Sequence, residues 1–378
     1  MNKKLLLLGG GHAHLETLVA LSAIGEHGHE ITVVAPSRHH YYSGMGPGML
    51  GGTFTPEEIR FDTEAAVRAG GGRFVTGLAV AIDPSEKTVR LASGERLSYD
   101  VLSANVGSFV KSPFEKAPDA EVFPVKPIES LLSLRQAILD RCRETALHIS
   151  VAGGGPSSAE VAGNILQLIK TARGEPPVIT IHARRRFLES FPDTIRQGVT
   201  GRLSKRGIKL MENNAVARAE KNAVTLVSGA CQHADVVVDA TGVRPSTLFA
   251  DSGLPTGPDG GLTVNRYLQC TDHPDIFGGG DCIHFEPEPL AKVGVYAVRQ
   301  NAVLRDNLLA RLEGTPLSPF DPKGSYLLIF NLGENTGYLH KNGFTTAGRL
   351  AFHIKTFIDT RFMKKYQRLL SRPPAGRV

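Results

Sequence analysis

The sequence predicts an α/β chain with two strand–glycine turn–helix–strand units and a small α+β segment at its C-terminal end. Three observations carry that prediction. KLLLL at 4–8 runs into GGGHAH at 9–14. HISVA at 148–152 runs into GGGPSSAE at 153–160, so the pattern recurs about 144 residues later. From Pro319 onward the chain holds ten Lys/Arg and three Asp/Glu, a net +7. The overall charge is +6, so the body before that point is close to neutral.

In the first unit, residues 4–8 form a short apolar run of the kind buried in a parallel sheet. A helix is expected near His14–Ile24 and a second strand at Glu30–Ala35. Residues 73–107 read as a β-rich stretch with turns at Pro84-Ser85 and Gly94. The second unit repeats the scheme: strand His148–Ala152, helix to about Ile169, strand Val178–Ala183. Another β-rich stretch follows it and includes ADVVVDATG at 234–242. Residues 250–263 are loop-rich, and IFGGGD stands at 276–281. EPEPL at 286–290 leads into a helix expected at Val293–Leu312. The last section holds a strand-like YLLIFNLG, a hairpin around Lys341-Asn342-Gly343 and a basic amphipathic helix near Leu350–Leu370.

Composition excludes several classes. At 378 residues the chain suits two to three domains of roughly 100–200 residues. It is 41% apolar and 21% charged, which is globular material. Its 41 glycines show no G-X-Y period, which excludes collagen. Cys142, Cys231, Cys270 and Cys282 lack close spacing, which speaks against a zinc site, a CxxC pair or a disulfide scaffold and for reduced thiols in a cytoplasm. His12, His14, His27, His29, His39 and His40 fit no zinc spacing, so no metal is expected. No apolar run approaches the roughly 20 residues of a membrane-spanning helix. The opening MNKKLLLLGGGHAH is too short in its apolar part for a signal peptide. No nucleic-acid partner is expected.

A glycine-rich turn between strand and helix lets a pyrophosphate approach the backbone and the helix N-terminus. In the first unit Gly9 and Gly11 take these roles, with His14 where a third glycine would sit. The strand after it ends Val34-Ala35-Pro36, with no acid for an adenosine ribose. In the second unit Gly153, Gly155 and Ser158 precede Glu160. Its second strand ends His182-Ala183 and three arginines follow, Arg184–Arg186. An acid there would select NADH, whereas arginines favour the 2′-phosphate of NADPH. The alternative is a solvated basic loop. Gly280-Asp281 places a carboxylate at the head of the next helix, where it can accept a bond from a ribityl hydroxyl. The order GGGHAH, GGGPSSAE, ATG, GD is more specific than any of its parts.

On these residues the chain resembles the pyridine nucleotide-disulfide oxidoreductase superfamily, in the branch holding type II NADH dehydrogenases and sulfide:quinone oxidoreductases. Within that branch it is most similar to the flavoprotein domain fused to selenide, water dikinases and its stand-alone relatives. GGGHAHLETL (9–18), YYSGMGPGMLGG (41–52), KVGVYAVRQNAVLRDNL (292–308) and IKTFIDTRFMKKY (354–366) carry that likeness. The resemblance implies two Rossmann-like dinucleotide-binding domains of glutathione reductase type. It divides the chain into a discontinuous FAD domain (1–115 and 246–318), an NAD(P) domain (116–245) and a C-terminal segment (319–378). It implies FAD with Gly9, Gly11, His12, Ala13 and His14 at the pyrophosphate. Ser43, Gly44 and Met45 would lie against the isoalloxazine, unless that stretch is only a flexible glycine loop. Asp281 would hold the ribityl chain, with Gly280 and Val293 beside it. NAD(P)H would lie on Gly153, Gly155, Pro156, Ser157, Ser158, Arg184 and Gly242. Glu160 would face the nicotinamide, or else simply complement the helix dipole.

The expected activity is hydride transfer from NAD(P)H to flavin, then to a quinone or another small redox compound. Lys292 and the helix after it are candidates for stabilising reduced flavin. Residues 38–44 hold no Cys, which excludes disulfide reduction through a CxxxxC pair there. Cys282 reads as a buried inert thiol, with sulfide chemistry as the rival. Gly294-Val295 stands where type II NADH dehydrogenases carry Ala-Gln, a departure on the quinone side. A flavin-bound partner module without turnover is the rival from another class. The tail helix has an apolar stripe at Leu350, Ile354, Phe357, Ile358, Phe362, Tyr366, Leu369 and Leu370, with Lys355, Lys364, Lys365, Arg368 and Arg372 near it. That stripe either packs on the body of the protein or rests on the inner face of a membrane. A homodimer is left open.

Overall fold

The computed structural model describes residues 2–341 and 343–371. Two five-stranded parallel sheets form its frame. The first has the order Ile276–Gly278, Val101–Ala104, Lys4–Leu8, Glu30–Ala35, Arg73–Thr76. The second repeats it as Val122–Pro124, Val236–Asp239, His148–Ala152, Val178–His182, Lys209–Met211. Each glycine turn therefore leaves the central strand of its sheet. Leu5–Leu8 and Ile149–Ala152 are all 2% exposed or less apart from Ser150, as strands covered on both faces must be.

The β-rich stretch 73–107 divides between two sheets. Arg73–Thr76 and Val101–Ala104 join the first parallel sheet on opposite sides of its centre. Only Ala79–Asp83, Thr88–Leu91 and Arg96–Ser98 between them pair antiparallel. The helix expected at His14–Ile24 is broken into a turn at His12–His14 and short helices Leu15–Val19 and Leu21–Glu26. The other long helices run Pro156–Thr171, Gly294–Glu313 and Arg349–Leu370. The chain leaves the first sheet along Ser108–Val110 and returns beside it, antiparallel, along Val243–Pro245.

The two glycine turns close on their sheets in the same way. Gly9 has φ +87°, and a Cβ there would lie 2.3 Å from the Asn105 carbonyl oxygen. Gly153 has φ +134°, and its Cβ would lie 2.1 Å from the Ala240 carbonyl oxygen. Backbone cannot yield to a side chain, so only glycine fits either place.

The C-terminal segment is a three-stranded antiparallel sheet, Leu328–Asn331, Gly337–Lys341 and Phe344–Gly348, followed by the long helix. The hairpin expected around Asn342 forms, although Asn342 itself lies outside the described residues. This segment packs on the second unit. A Cβ on Gly163 would lie 2.1 Å from the Leu332 carbonyl oxygen. Arg206 donates to the Gly163 carbonyl (3.1 Å) and to that of Leu332, and pairs with Glu334 (2.6 Å).

The long C-terminal helix corrects the expected stripe. At 100° per residue, Phe352, Asp359, Met363, Tyr366 and Leu370 share one side, and all five are buried. Phe362 and Leu369 flank that side and are partly buried against the core. Leu350, Phe357 and Ile358 point away, at 62%, 64% and 43% exposure. The stripe thus divides between two faces, and the outward one continues into Arg361, Lys364, Lys365 and Arg368. Arg372 lies outside the described residues.

Candidate active site

A cleft of about 410 Å³ opens at the C-terminal ends of the first sheet's strands, where ligands bind in open α/β sheets. Gly9, Gly11 and His12 form its floor, and Ser43, Gly280 and Asp281 line it further along. The helix Pro156–Thr171 begins at Gly155 and the helix Gly294–Glu313 at Val293, neither with a side-chain cap. Their free N–H groups and positive dipole ends are available to anions.

Asp281 is the carboxylate of the cleft. Its Oδ2 accepts from Ser108 Oγ at 2.8 Å and from Lys126 Nζ at 2.5 Å. Its Oδ1 has no partner among the described residues, so it is open to a ligand hydroxyl. Lys126 also donates to Ser108 Oγ, which fixes a cation inside the cleft. Thr63 lines the same cleft, and its buried Oγ1 has no partner among the described residues. Open glycine backbone, an accepting carboxylate, a cation and an unpartnered hydroxyl together suit a flavin dinucleotide. If FAD binds here, Gly9–Gly11 would take its pyrophosphate and Asp281 its ribityl chain.

Several predicted residues stand behind this surface. Ala13 is fully buried and packs against Gly279. His14 lies with Nδ1 2.6 Å from the Gly9 carbonyl oxygen and Nε2 2.8 Å from Ser103 Oγ. Burial lowers its pKa to about 4, so it braces the turn as a neutral ring. Gly44 packs under the Tyr42 ring, and Met45 is buried beside it. Lys292 pairs with Asp259 at 2.8 Å and donates to the Ile283 carbonyl, in a smaller depression that Val293 shares. The cation in the large cleft is Lys126, and Gly294 reaches that cleft at the head of its helix.

In the second unit Pro156 occupies the first helical turn, and buried Ser158 donates from Oγ to the Gly155 carbonyl at 2.6 Å. Ser157 and Arg184 are exposed. Gly242 has φ +119° and open space where a Cβ would stand.

Glu160 belongs to a different group. Its Oε1 accepts the Asn331 N–H at 2.8 Å. Lys355 and Asp359 of the C-terminal helix pair at 3.0 Å, with side chains 15% and 8% exposed. Tyr42 Oη donates to Asp359 Oδ1 at 3.2 Å. Burial raises the Glu160 pKa against the pull of Lys355 and the Asn331 N–H, and Asp359 adds to the rise. Burial alone would lower Lys355, but Asp359 and Glu160 reverse that and its net shift is upward. Burial and then Asp359 push Tyr42 well above its ordinary value. The group can hold protons in a place shielded from water.

Cys282 is fully buried and donates to the carbonyls of Ala104 (3.5 Å) and Gly279 (3.3 Å). Burial pushes its pKa up to about 11, so it carries almost no thiolate at neutral pH.

Sequence reasoning missed Lys126, Asn105, Thr63, Tyr42 and the role of Lys355 with Asp359. Asn105 clamps the two halves of the first site: Nδ2 donates to the Gly279 carbonyl at 2.6 Å and Oδ1 accepts the Ala13 N–H at 3.2 Å. A signal for it was present, because ANVG after Val101–Ser103 mirrors ATG after Val236–Asp239.

Among curated proteins, ferroptosis suppressor protein 1 of Taeniopygia guttata is 28% identical over 326 residues, 81% of each chain. Type II NADH:quinone oxidoreductase of Staphylococcus saprophyticus is 26% identical over 391 aligned positions, 96% of each chain. Two solved structures share the fold. Sulfide:quinone oxidoreductase of Aquifex aeolicus has a TM-score of 0.77 at 18% identity, covering 97% of this chain and 92% of that one. NDH2 of Plasmodium falciparum, in complex with NADH, has 0.77 at 15% identity, covering 98% and 100%. Residues 3–303 match the family described as pyridine nucleotide-disulphide oxidoreductase, and with its paired glycine-turn units the chain belongs to that family.

Proposed function

We propose that the protein is an FAD-dependent oxidoreductase that takes hydride from NAD(P)H and delivers the electrons to a quinone or a similar small acceptor. The observation that carries this reading is the pairing of two like sheets, each with a glycine turn at its centre, with a cleft over the first of these turns that holds Asp281 and Lys126. FAD, when bound, supplies the hydride acceptor and the electron store. The chain supplies position and charge. Gly9–Gly11 and Asp281 hold the flavin nucleotide, and Gly153–Ser158 hold the nicotinamide nucleotide. Lys126 and the uncapped start of Gly294–Glu313 offset negative charge in the cleft. Glu160, Lys355 and Tyr42, with Asp359 as the partner of Lys355 and Tyr42, hold the protons that a quinone needs on its way to a quinol.

The relatives named NADH:quinone oxidoreductases support this reading over sulfide oxidation, and so does the inert setting of Cys282. The outer face of the C-terminal helix supports a site of action at a membrane surface. Leu350, Phe357 and Ile358, with Phe344 at 66% exposure on the neighbouring strand, would enter the lipid interface. Arg361, Lys364 and Arg368 would meet anionic headgroups. Among the described residues no helix is long and apolar enough to cross a membrane, so this contact is peripheral. Four free cysteines suit the reducing, cytoplasmic side.

Anaerobic mixing of the FAD-loaded protein with NADH or NADPH tests the reading. Rapid bleaching of the flavin, reversed by a short-chain quinone, is expected. A protein that holds FAD but is bleached by neither nucleotide is a binding module instead.

A further inference from the structure

The loop after the second unit's second strand is built onto its glycine turn. The strand ends at His182, and Ala183 is 1% exposed beneath Gly154, whose Cβ would lie 2.9 Å from that of Ala183. Leu188 N–H donates to the Gly154 carbonyl at 2.7 Å, and Phe187 and Leu188 are buried. The three arginines between these anchors, Arg184, Arg185 and Arg186, are exposed. The segment is therefore a fixed shelf beside the nucleotide turn.

The acids around it are engaged with groups other than Arg184. Glu212 accepts the Phe187 N–H at 2.8 Å. Glu189 lies 3.9 Å from Arg185, and Asp193 pairs with Arg186 (3.3 Å) and Arg196 (3.1 Å). Arg184 has neither an ion pair nor a hydrogen bond from its side chain among the described residues. A strand end that offers a ribose diol no carboxylate gives NADH no special hold, and it does not repel a 2′-phosphate. A free guanidinium on the same shelf matches that phosphate with paired N–H donors.

We infer that Arg184 reads the adenosine 2′-phosphate of NADPH, and that the protein uses NADPH at least as well as NADH. This rests on the reading of the second glycine turn as the NAD(P)H site. The test uses FAD-loaded protein and two probes, 2′,5′-ADP and 5′-AMP, in calorimetric titration, with steady-state kinetics for both dinucleotides. 2′,5′-ADP should bind about tenfold or more tightly than 5′-AMP, as one charge-assisted contact predicts. Arg184→Gln should erase that difference and lower kcat/KM for NADPH about tenfold, with NADH changed less than about twofold. Arg185→Gln, which disturbs an existing ion pair, should do neither. Equal binding of the two probes, or a wild-type preference for NADH above about tenfold, overturns the inference. So does an Arg184→Gln effect of equal size on both dinucleotides. If the wild type binds neither probe and neither dinucleotide, the nucleotide reading itself fails, and the inference falls with it.

Discussion

Replacing Lys355 by Met removes the cation that stands between two carboxylates. Asp359 is 3.0 Å from its Nζ, and Glu160 feels its charge. Breaking a buried pair by deleting one partner costs about 3–5 kcal/mol, and side chains 15% and 8% exposed place this pair toward the lower end, near ~3 kcal/mol. The loss depends on pH. Burial already raises Glu160 above its ordinary value while Lys355 opposes the rise, so without Lys355 the shift grows. A carboxyl raised in the folded state stabilises the fold at low pH, and that stability is lost as pH rises through its folded value. The variant's deficit against wild type should therefore be larger at a pH above the titration of Glu160 than at a pH below it. The change is about 1.4 kcal/mol for each unit by which the deletion moves Glu160. Chemical denaturation of the FAD-loaded proteins at both pH values reads this directly. Adding Glu160→Gln should flatten the dependence. In rapid kinetics the acceptor step should slow about 10²-fold, the scale of a lost proton donor, while bleaching by NAD(P)H changes little. A deficit that is the same at both pH values, or one that Glu160→Gln leaves untouched, refutes the coupling of Lys355 to Glu160.

Four further outcomes are expected. Asp281→Ala should weaken FAD retention by about 1–2 kcal/mol in equilibrium dialysis, and an unchanged dissociation constant would leave Asp281 only as the counter-ion of Lys126. Cys282→Ala should keep NAD(P)H-driven bleaching intact, and sulfide should not reduce the flavin of either form; sulfide-dependent bleaching that the variant loses would revive the rival chemistry. Phe357→Asp with Ile358→Asp should abolish salt-sensitive sedimentation with anionic vesicles while leaving the flavin spectrum unchanged. Truncation after Arg349 removes Met363, Tyr366 and Leu370 from the core and should instead cost the fold or the flavin. A truncated protein that stays yellow and folded would show that this helix is not part of the core.

The frame was legible because its signals are local and repeated. An apolar run entering three glycines specifies a strand, a turn and a helix within a few residues, and the chain states that pattern twice. The outer strands of the parallel sheets were harder to place. VLSA at 101–104 looks like any strand near the turn at Gly94, and only its pairing with Leu5–Leu8 shows that it belongs to the central sheet. The different settings of Lys292 and Lys126 have the same origin. Nothing local tells that Asp259 claims one while Asp281 fixes the other in the cleft.

The proton-holding group shows why the acceptor side was the least legible part. Tyr42, Glu160 and the pair Lys355–Asp359 come from three segments more than a hundred residues apart. In sequence each has an ordinary explanation: a loop tyrosine, an acid in a helix's first turns, an i,i+4 pair on an amphipathic helix. The period of that helix was visible, but its phase was not, because apolar residues occupy both of its faces. Packing settles the phase through Gly337, where a Cβ would lie 2.5 Å from the Phe352 amide nitrogen. That close approach holds the start of the helix against the C-terminal sheet, turns Phe352 and Asp359 inward and leaves Leu350 and Phe357 outward. One helix thereby does two jobs. Its inner face carries Lys355 and Asp359 to Tyr42, and its outer face carries the exposed apolar and basic residues on which the proposed membrane contact rests.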